Sequence, residues 1–257
     1  MKGVILAGGK GERLYPCTLV TNKHLLPVYN KPMIYYPVKT MIDAGVTDIM
    51  IITGGKNEGD FLKLLKDGFD FGAKFTYRVQ DGTGGIPAAL GLAKEFVGNE
   101  DCLVILGDNI MEMSLREHVE SFEKNKESAK IFLLKVDDPE RYGNADIKDG
   151  KVVAVYEKPK QPKNNYAIIG AYLFNKEVFE VIHSLKPSER GELEVTDLLS
   201  YYISKNQLSY CELDGFWIDA GTLDALLIAS NFIAEKERKP YQRIDKRAEE
   251  EALRELK

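Results

Sequence analysis

Short apolar runs alternate with longer amphipathic stretches through the first half of the chain, and this alternation constrains the fold most strongly. The apolar runs are rich in Val, Ile and Leu and predict buried strands at Gly3–Ala7, Asp48–Thr53, Phe75–Val79 and Cys102–Leu106. Helical patterns lie between them at Pro32–Ala44, Glu58–Lys66 and Pro87–Phe96. Strands that alternate with helices form parallel βαβ units, so we expect an α/β fold with a doubly wound, Rossmann-like sheet.

After Lys130 the pattern changes to strands separated by turn residues. Strands are predicted at Ile131–Val136, Val152–Tyr156 and Ala167–Phe174, and helices at Lys176–Ser184, Thr196–Lys205 and Thr222–Lys236. The runs on either side of Asp214-Gly215, at Leu208–Leu213 and Phe216–Ile218, predict a hairpin. Because no linker or internal repeat interrupts the chain, we expect one domain over residues 1–237. The charged tail, 238–257, predicts a solvated helix or a frayed end.

Composition excludes several classes of function. The formal net charge is −5 and no basic patch is evident, so a nucleic-acid partner is not expected. The three cysteines are far apart and there are only three histidines, which disfavours a zinc site and a disulfide framework. No apolar run is long enough for a membrane span or a signal peptide. We therefore expect a cytoplasmic protein with no membrane partner.

A glycine-rich loop follows the first predicted strand, at the sheet edge where α/β folds bind ligands. It carries Gly8, Gly9 and Gly11, followed by Arg13. Glycines let backbone N–H groups approach phosphate oxygens closely, although an ordinary strand-to-helix turn has the same composition. The spacing matches neither the Rossmann fingerprint nor a Walker A motif, which disfavours an NAD-linked dehydrogenase.

Three charged residues are further candidates. Asp108 and Asp219 each follow an apolar run, where a carboxylate is suited to hold Mg²⁺ against phosphate oxygens. Each is equally suited to cap the helix expected after it. Lys23 precedes an apolar turn and, taken alone, resembles a surface lysine. The residue types leave these alternatives open.

Seven segments together resemble a known family in order and spacing, over Met1 to about Phe232. The segments are LAGGKGERLYP, TNKHLLPVYNKPMIYYPV, LGDN, ERYG, YEKP, GELEVTD and FWIDAGT. They resemble the glucose-1-phosphate thymidylyltransferases, in particular the short form, within the sugar nucleotidyltransferases. The resemblance implies a doubly wound mixed sheet of the nucleotide-diphospho-sugar transferase type, with a nucleotide-binding half at about 1–130 and a sugar-binding lobe at about 131–237. It also implies a homo-oligomer that joins dTTP to glucose 1-phosphate with Mg²⁺ and releases pyrophosphate.

The resemblance assigns roles by position. Arg13 and Lys23 are implied as catalytic cations, and Asp108 and Asp219 as the metal ligands. Nucleotide contacts are implied for Leu6, Ala7, Gly8, Gly9, Gly11, Gln80 and Gly85. Contacts to the sugar phosphate are implied for Asn109, Tyr142, Gly143, Glu157, Lys158 and Ile168.

Two departures from the family pattern bear on specificity. Ile86-Pro87-Ala88-Ala89 stands where the family usually has Leu/Ile-Ala-Gln-Ala, and Ile169 stands where it often has Thr. UTP or another pyrimidine nucleotide, or another hexose 1-phosphate, is therefore an alternative substrate. A non-catalytic regulatory homologue is disfavoured, because the implied cations and carboxylates are all present. The longer members' allosteric nucleotide site is less expected in a chain of this length.

Overall fold

Thirteen strands and eight helices make up the part of the chain that the computed structural model describes, residues 1–54, 57–82 and 84–237. The strands are β1 (Lys2–Ala7), β2 (Pro27–Val28), β3 (Lys31–Pro32), β4 (Asp48–Gly54), β5 (Lys74–Gln80), β6 (Cys102–Leu106), β7 (Asn109–Met111), β8 (Ala129–Lys135), β9 (Asn144–Lys148), β10 (Lys151–Tyr156), β11 (Tyr166–Phe174), β12 (Leu208–Glu212) and β13 (Trp217–Asp219). The helices are α1 (Tyr35–Asp43), α2 (Glu58–Leu65), α3 (Gly85–Gly91), α4 (Lys94–Val97), α5 (Arg116–Asn125), α6 (Val178–Ser184), α7 (Val195–Ser204) and α8 (Leu223–Glu237).

A mixed sheet forms the centre of the molecule. Its parallel part has the order β6-β1-β4-β5, and β11 then pairs antiparallel with β6. Beyond β11 lie β9 and β10 on one path, and β8 with β12 on the other. The predicted α/β class and mixed sheet are therefore confirmed.

Helices cover both faces of the sheet, because the side chains that point to either face of its central strands are apolar. In β1, Ile5 and Ala7 pack with α1, α2 and α5, while Val4 and Leu6 pack with α3, α6 and α7. Successive side chains of a strand point to opposite faces, so a strand of uniformly apolar residues is stable only when both faces are covered. The doubly wound arrangement follows from that composition.

The predicted hairpin around Asp214-Gly215 is wrong. Leu208–Glu212 pairs in parallel with β8, whereas Trp217–Asp219 pairs antiparallel with β7. Asp214-Gly215 joins strands of two different sheets, because each strand pairs with a neighbour that is not the next strand in the chain. The short strands β7 and β9, which the sequence reasoning missed, supply partners for β13 and β10.

Two predicted helices have different bounds. The helix predicted at Pro32–Ala44 begins only at Tyr35, because Lys31 and Pro32 pair with Val28 and Pro27 as a short ribbon. The helix predicted at Pro87–Phe96 is divided into α3 and α4. The prediction for 238–257 lies outside the described residues. Within the described part of the chain, no helix has the length and apolar character needed to cross a bilayer.

Candidate active site

Two adjoining clefts open at the carboxyl ends of the parallel strands. The first has a volume of about 250 Å³ and lies above β1, β5 and α3. The second lies above β9 and β11 and is bounded by α7. Ile86 and Leu106 line both clefts, Asp108 lines the first and Asp219 the second. A ligand that spans the two clefts therefore passes both carboxylates.

Most of the implied nucleotide residues meet in the first cleft. Leu6, Gly8, Gly9, Gln80 and Gly85 line it, together with Lys23. Ala7, by contrast, is fully buried with its side chain in the core on the α1 side of the sheet. Only its backbone is left to contact a ligand.

The glycine loop lies close against the side chain of Lys23. A Cβ added to Gly9 would lie 3.0 Å from Lys23 Cε, and one added to Gly8 would lie 2.9 Å from Gln80 Oε1. Side chains at these positions would displace the two groups that reach into the cleft. The loop is therefore built for close approach rather than only for a turn.

Position 85 requires a glycine for two reasons, its backbone conformation and a close backbone neighbour. Its φ of +81° lies in the left-handed region, and an added Cβ would lie 2.1 Å from the carbonyl oxygen of Leu193. The neighbouring Gly84 carbonyl accepts a hydrogen bond from the Leu193 amide at 2.9 Å. This contact ties the mouth of the first cleft to the loop before α7.

We expect Gly85→Ala to destabilise the fold far more than Gly98→Ala. Gly98 also has a positive φ, +60°, but an added Cβ there meets nothing within 4 Å. The control therefore carries only the left-handed backbone penalty of about 1 kcal/mol, whereas Gly85→Ala adds an overpacking cost of about 1–3 kcal/mol. Urea denaturation measures both free energies of unfolding. Equal losses would contradict the steric role of Gly85.

All six residues implied for the sugar phosphate line the second cleft. These are Asn109, Tyr142, Gly143, Glu157, Lys158 and Ile168. Lys158 has a φ of +43°, a strained conformation for a lysine, and its Nζ lies 3.5 Å from Glu157 Oε1. Strain of this kind is concentrated at binding sites, where the surrounding structure holds it in place.

Neither Ala88 nor Ile169, the residues that replace Gln and Thr of the family pattern, lines a cleft. Ile169 is fully buried in the core on the opposite face from Ile168, because neighbouring residues of a strand alternate. Ile169 in place of Thr therefore changes no side chain that lines the sugar cleft. Ala88 packs closely against Gly84, since a Cβ added to Gly84 would lie only 2.7 Å from the Ala88 Cβ.

The two candidate metal ligands lie at the ends of two paired strands, with Asp108 directly before β7. Asp219 ends β13 opposite Asn109 of β7, and the Ala220 amide donates to the Asp108 carbonyl at 2.9 Å. Neither aspartate caps a helix through its side chain: Asp108 leads into β7, and Thr222 Oγ1 accepts from the Ala225 amide in the first turn of α8.

The electrostatics of the two carboxylates differ. Burial, followed by the nearby charge of Asp108, raises the pKa of Asp219 from 3.8 to about 6. Burial acts in the same direction on Asp108, but the charge and hydrogen bond of Lys23, together with His24 and the hydrogen bond from Asn109, outweigh it and hold the pKa of Asp108 below its ordinary value. A divalent cation between the two carboxylates would offset the burial and the Asp108 charge that disfavour ionised Asp219.

Each carboxylate faces one of the implied catalytic cations. Lys23 Nζ contacts Asp108 Oδ2, and its side chain is only 13% exposed, so it is not a surface lysine. Arg13 Nη2 lies 3.9 Å from Asp219 Oδ2 with a side chain that is 60% exposed. Arg13 and Gly11 lie outside the lining of the two clefts, at the edge formed by the glycine loop.

Several residues that line the two clefts have no role implied by the sequence. Glu192 and Thr196, from the GELEVTD segment, line the first and second clefts respectively, and Trp217 lines the second. His24 lines the first, where burial and the charge of Lys23 lower its pKa to about 3 and keep its ring neutral. The signal was present in the quoted motifs, since each of these residues lies within one.

The comparison with known proteins agrees with this geometry. The sequence model of the nucleotidyl transferase family matches residues 2–236. This chain belongs to that family.

A glucose-1-phosphate thymidylyltransferase of Neisseria meningitidis is 41% identical over 237 residues, which cover 91% of this chain and 82% of the relative. One of Mycolicibacterium smegmatis is 42% identical over 243 residues, with the same two coverages. Within the family, the chain is therefore grouped with the glucose-1-phosphate thymidylyltransferases.

Solved structures give the same grouping. A Bacillus anthracis protein described as a glucose-1-phosphate thymidylyltransferase, crystallised with sucrose, is 52% identical with a TM-score of 0.88. The match covers 94% of this chain and 98% of that one. A UDP-glucose pyrophosphorylase in complex with UDP-glucose has a TM-score of 0.80 at 24% identity, which relates the folds alone. The family places this chain among the nucleotidyltransferases.

Proposed function

We propose that this enzyme transfers a thymidylyl group from dTTP to α-D-glucose 1-phosphate, giving dTDP-glucose and pyrophosphate. One observation carries the proposal: Asp108 and Asp219 lie where a glycine-lined cleft meets a second cleft, which is lined by the residues that the family resemblance implies for the sugar phosphate. The similarity to glucose-1-phosphate thymidylyltransferases supports the choice of substrates. The UTP and other-hexose alternatives are the outcomes against which it is tested.

The reaction needs charge neutralisation more than proton transfer. An oxygen of the sugar phosphate forms a bond to the α-phosphorus, and the bond from that phosphorus to the bridging oxygen of pyrophosphate breaks. Because a phosphate monoester is largely ionised at neutral pH, no general base is required. Lys23 would stabilise charge at the α-phosphate, and Arg13 the charge on departing pyrophosphate.

The residues present fit Mg²⁺. The ion prefers oxygen ligands and usually takes one or two carboxylates together with phosphate oxygens and water. Asp108 and Asp219 would hold it, and a cation between them would offset the burial and the nearby Asp108 charge that together raise the pKa of Asp219. When bound, it would neutralise phosphate charge and align the two substrates.

The position of Gln80 supports the proposal that the nucleotide carries a pyrimidine base. Its side chain lines the first cleft beside Gly8, where an amide can pair with both donor and acceptor atoms of a base edge. Lys158 and Glu157 would contact the phosphate and hydroxyls of the sugar in the second cleft. The cytoplasmic location and the homo-oligomer stay predictions.

A substrate panel tests the proposal. We expect pyrophosphate release with Mg²⁺ to be fastest, in kcat/KM, for dTTP with glucose 1-phosphate. dTTP, UTP, CTP, ATP and GTP would each be assayed with glucose, galactose, mannose and N-acetylglucosamine 1-phosphates. A higher kcat/KM for UTP than for dTTP would show that UTP is the preferred nucleotide. The absence of turnover with every pair would contradict the proposal that the protein is an active enzyme.

A further inference from the structure

The side-chain amide of Asn109 is enclosed by three hydrogen bonds. Its Oδ1 accepts from Trp217 Nε1 at 2.7 Å and from the Gly170 amide at 3.0 Å. Its Nδ2 donates to Asp108 Oδ1 at 3.0 Å. Asn109 itself is only 2% exposed. The amide therefore joins the aromatic wall of the second cleft to a candidate metal ligand.

The orientation of this amide is determined by its neighbours. The indole N–H and the backbone N–H are both obligatory donors, so the atom that faces them is the oxygen. The nitrogen is then directed at Asp108. Both lone pairs of Oδ1 and one of the two Nδ2 hydrogens are already used within the protein.

The backbone around the amide is arranged to make these contacts. The pairing of β11 with β8 is irregular between Ile168 and Tyr172, and Gly170 lies in that interval. A Cβ added to Gly170 would lie 2.7 Å from the Asn109 side chain. The strand can approach the amide this closely because residue 170 is glycine.

The Asp108 carboxylate is held at both oxygens as a result. Oδ1 accepts from Asn109, and Oδ2 contacts the ammonium of Lys23. Trp217, which donates to the amide, also packs edge-to-face against Tyr142 with ring centroids 4.9 Å apart. The hydrogen-bonded path therefore runs from Trp217 through Asn109 to Asp108.

We propose that Asn109 is a positioning residue, oriented by Trp217 and Gly170, that holds the Asp108 carboxylate in place. The role differs from the sugar contact implied by the family resemblance. It rests on the proposed function, because it takes Asp108 as a metal ligand. Hydrogen-bonding partners behind a metal ligand typically affect metal affinity or activity by about 10- to 100-fold when removed.

The first test is Asn109→Ser, whose side chain is too short to reach both Trp217 and Asp108. We expect kcat to fall about 10- to 100-fold and the Mn²⁺ dissociation constant, measured by titration without substrates, to rise at least about 3-fold. The KM for the sugar phosphate is expected to stay within about 3-fold, since the lost contact is to Asp108. A raised sugar-phosphate KM with unchanged Mn²⁺ binding would overturn the proposal.

Glu157→Gln is the matched control from the same cleft. The Glu157 carboxylate is paired with Lys158 at 3.5 Å and Arg190 at 4.0 Å, whereas the path from Trp217 to Asp108 runs through Asn109. We expect it to raise the sugar-phosphate KM and to leave Mn²⁺ binding unchanged. Because Mn²⁺ binding is measured without nucleotide or sugar, a wrong choice of substrates would not affect that result.

Asn109→Asp keeps the proposal testable if the serine variant fails to fold. The carboxylate still accepts from Trp217 and Gly170, but it replaces the donor to Asp108 with a second negatively charged oxygen. We expect a kcat at least about 10-fold lower and little change in sugar-phosphate KM; an unchanged kcat would overturn the proposal.

Trp217 is the single tryptophan, so its indole N–H signal identifies it in a proton–nitrogen NMR spectrum. We expect that signal to move in Asn109→Ser, and an unmoved signal would contradict the hydrogen bond.

Discussion

Asp219→Asn is expected to remove turnover and, at the same time, to stabilise the metal-free protein. Turnover should fall about 10³-fold or more, because a ligand of the charge-neutralising ion is lost. Stability should rise because burial and Asp108 make the ionised carboxylate unfavourable in the folded state. The expected gain in the free energy of unfolding is on the order of 2 kcal/mol, or roughly 4–8 °C in Tm.

The sign of the pH dependence follows from the raised pKa. The folded protein binds the Asp219 proton more tightly than the unfolded chain, since its pKa is about 6 rather than 3.8. That stabilisation is fully present below the lower value and is lost as pH rises through the higher one. The Tm difference between Asp219→Asn and wild type should therefore grow from about pH 4 to about pH 6 and then level off.

Mg²⁺ should reverse the order of stability. If the ion binds the folded wild type as proposed, it should raise the wild-type Tm by mass action and raise that of Asp219→Asn much less. Differential scanning calorimetry at about pH 8, with EDTA or with Mg²⁺, measures both effects. An equal Mg²⁺-induced shift in the two proteins would show that Asp219 is not a metal ligand.

Asp108→Asn is the contrasting variant. It should lose turnover similarly, but it should destabilise the metal-free protein. The difference arises because Asp108 is paired with a largely buried lysine, whose ammonium would lose its partner. Two isosteric changes at neighbouring carboxylates are thus expected to have opposite effects on Tm.

Lys23→Gln is the second change with a large expected effect. Its ammonium lies between the glycine loop and Asp108, where the α-phosphate of a nucleotide in the first cleft would meet it. Removing a cation that stabilises charge in the transition state typically costs about 10²–10³ in kcat. Steady-state assays at saturating substrates measure the loss, and circular dichroism checks the fold. A kcat within a few-fold of wild type would contradict the catalytic role.

Lys23→Arg should not restore activity. The Lys23 side chain lies within 3.0 Å of the position that a Cβ on Gly9 would take, so the larger guanidinium has little room. The matched change is Arg13→Lys, at a side chain that is 60% exposed. We expect it to retain far more activity than Lys23→Arg. Equal losses would show that space around Lys23 is not limiting.

Local patterns accounted for much of the fold. The structure places the four predicted parallel strands side by side. The prediction of burial is confirmed for β1, β4 and β6 and is wrong for β5, an edge strand in which only Phe75 is buried. The pairing of β12 and β13 was mispredicted because a turn signal reports a chain reversal, not which strand becomes the neighbour. The bound of α1 was missed for the same reason, since Lys31–Pro32 is a strand only through its partner.

The sequence by itself determined the fold class and the family, because apolar periodicity and ordered motifs are properties of the chain. It also supplied the residue types of the candidate site. Only the tertiary structure decided that Asp108 and Asp219 meet at the junction of two clefts, that Ile169 faces the core, and that Asn109 points its amide at Asp108. Residues 108 and 219 are far apart in sequence, and strand pairing is what brings them close enough for the charge of Asp108 to raise the pKa of Asp219, in addition to its burial.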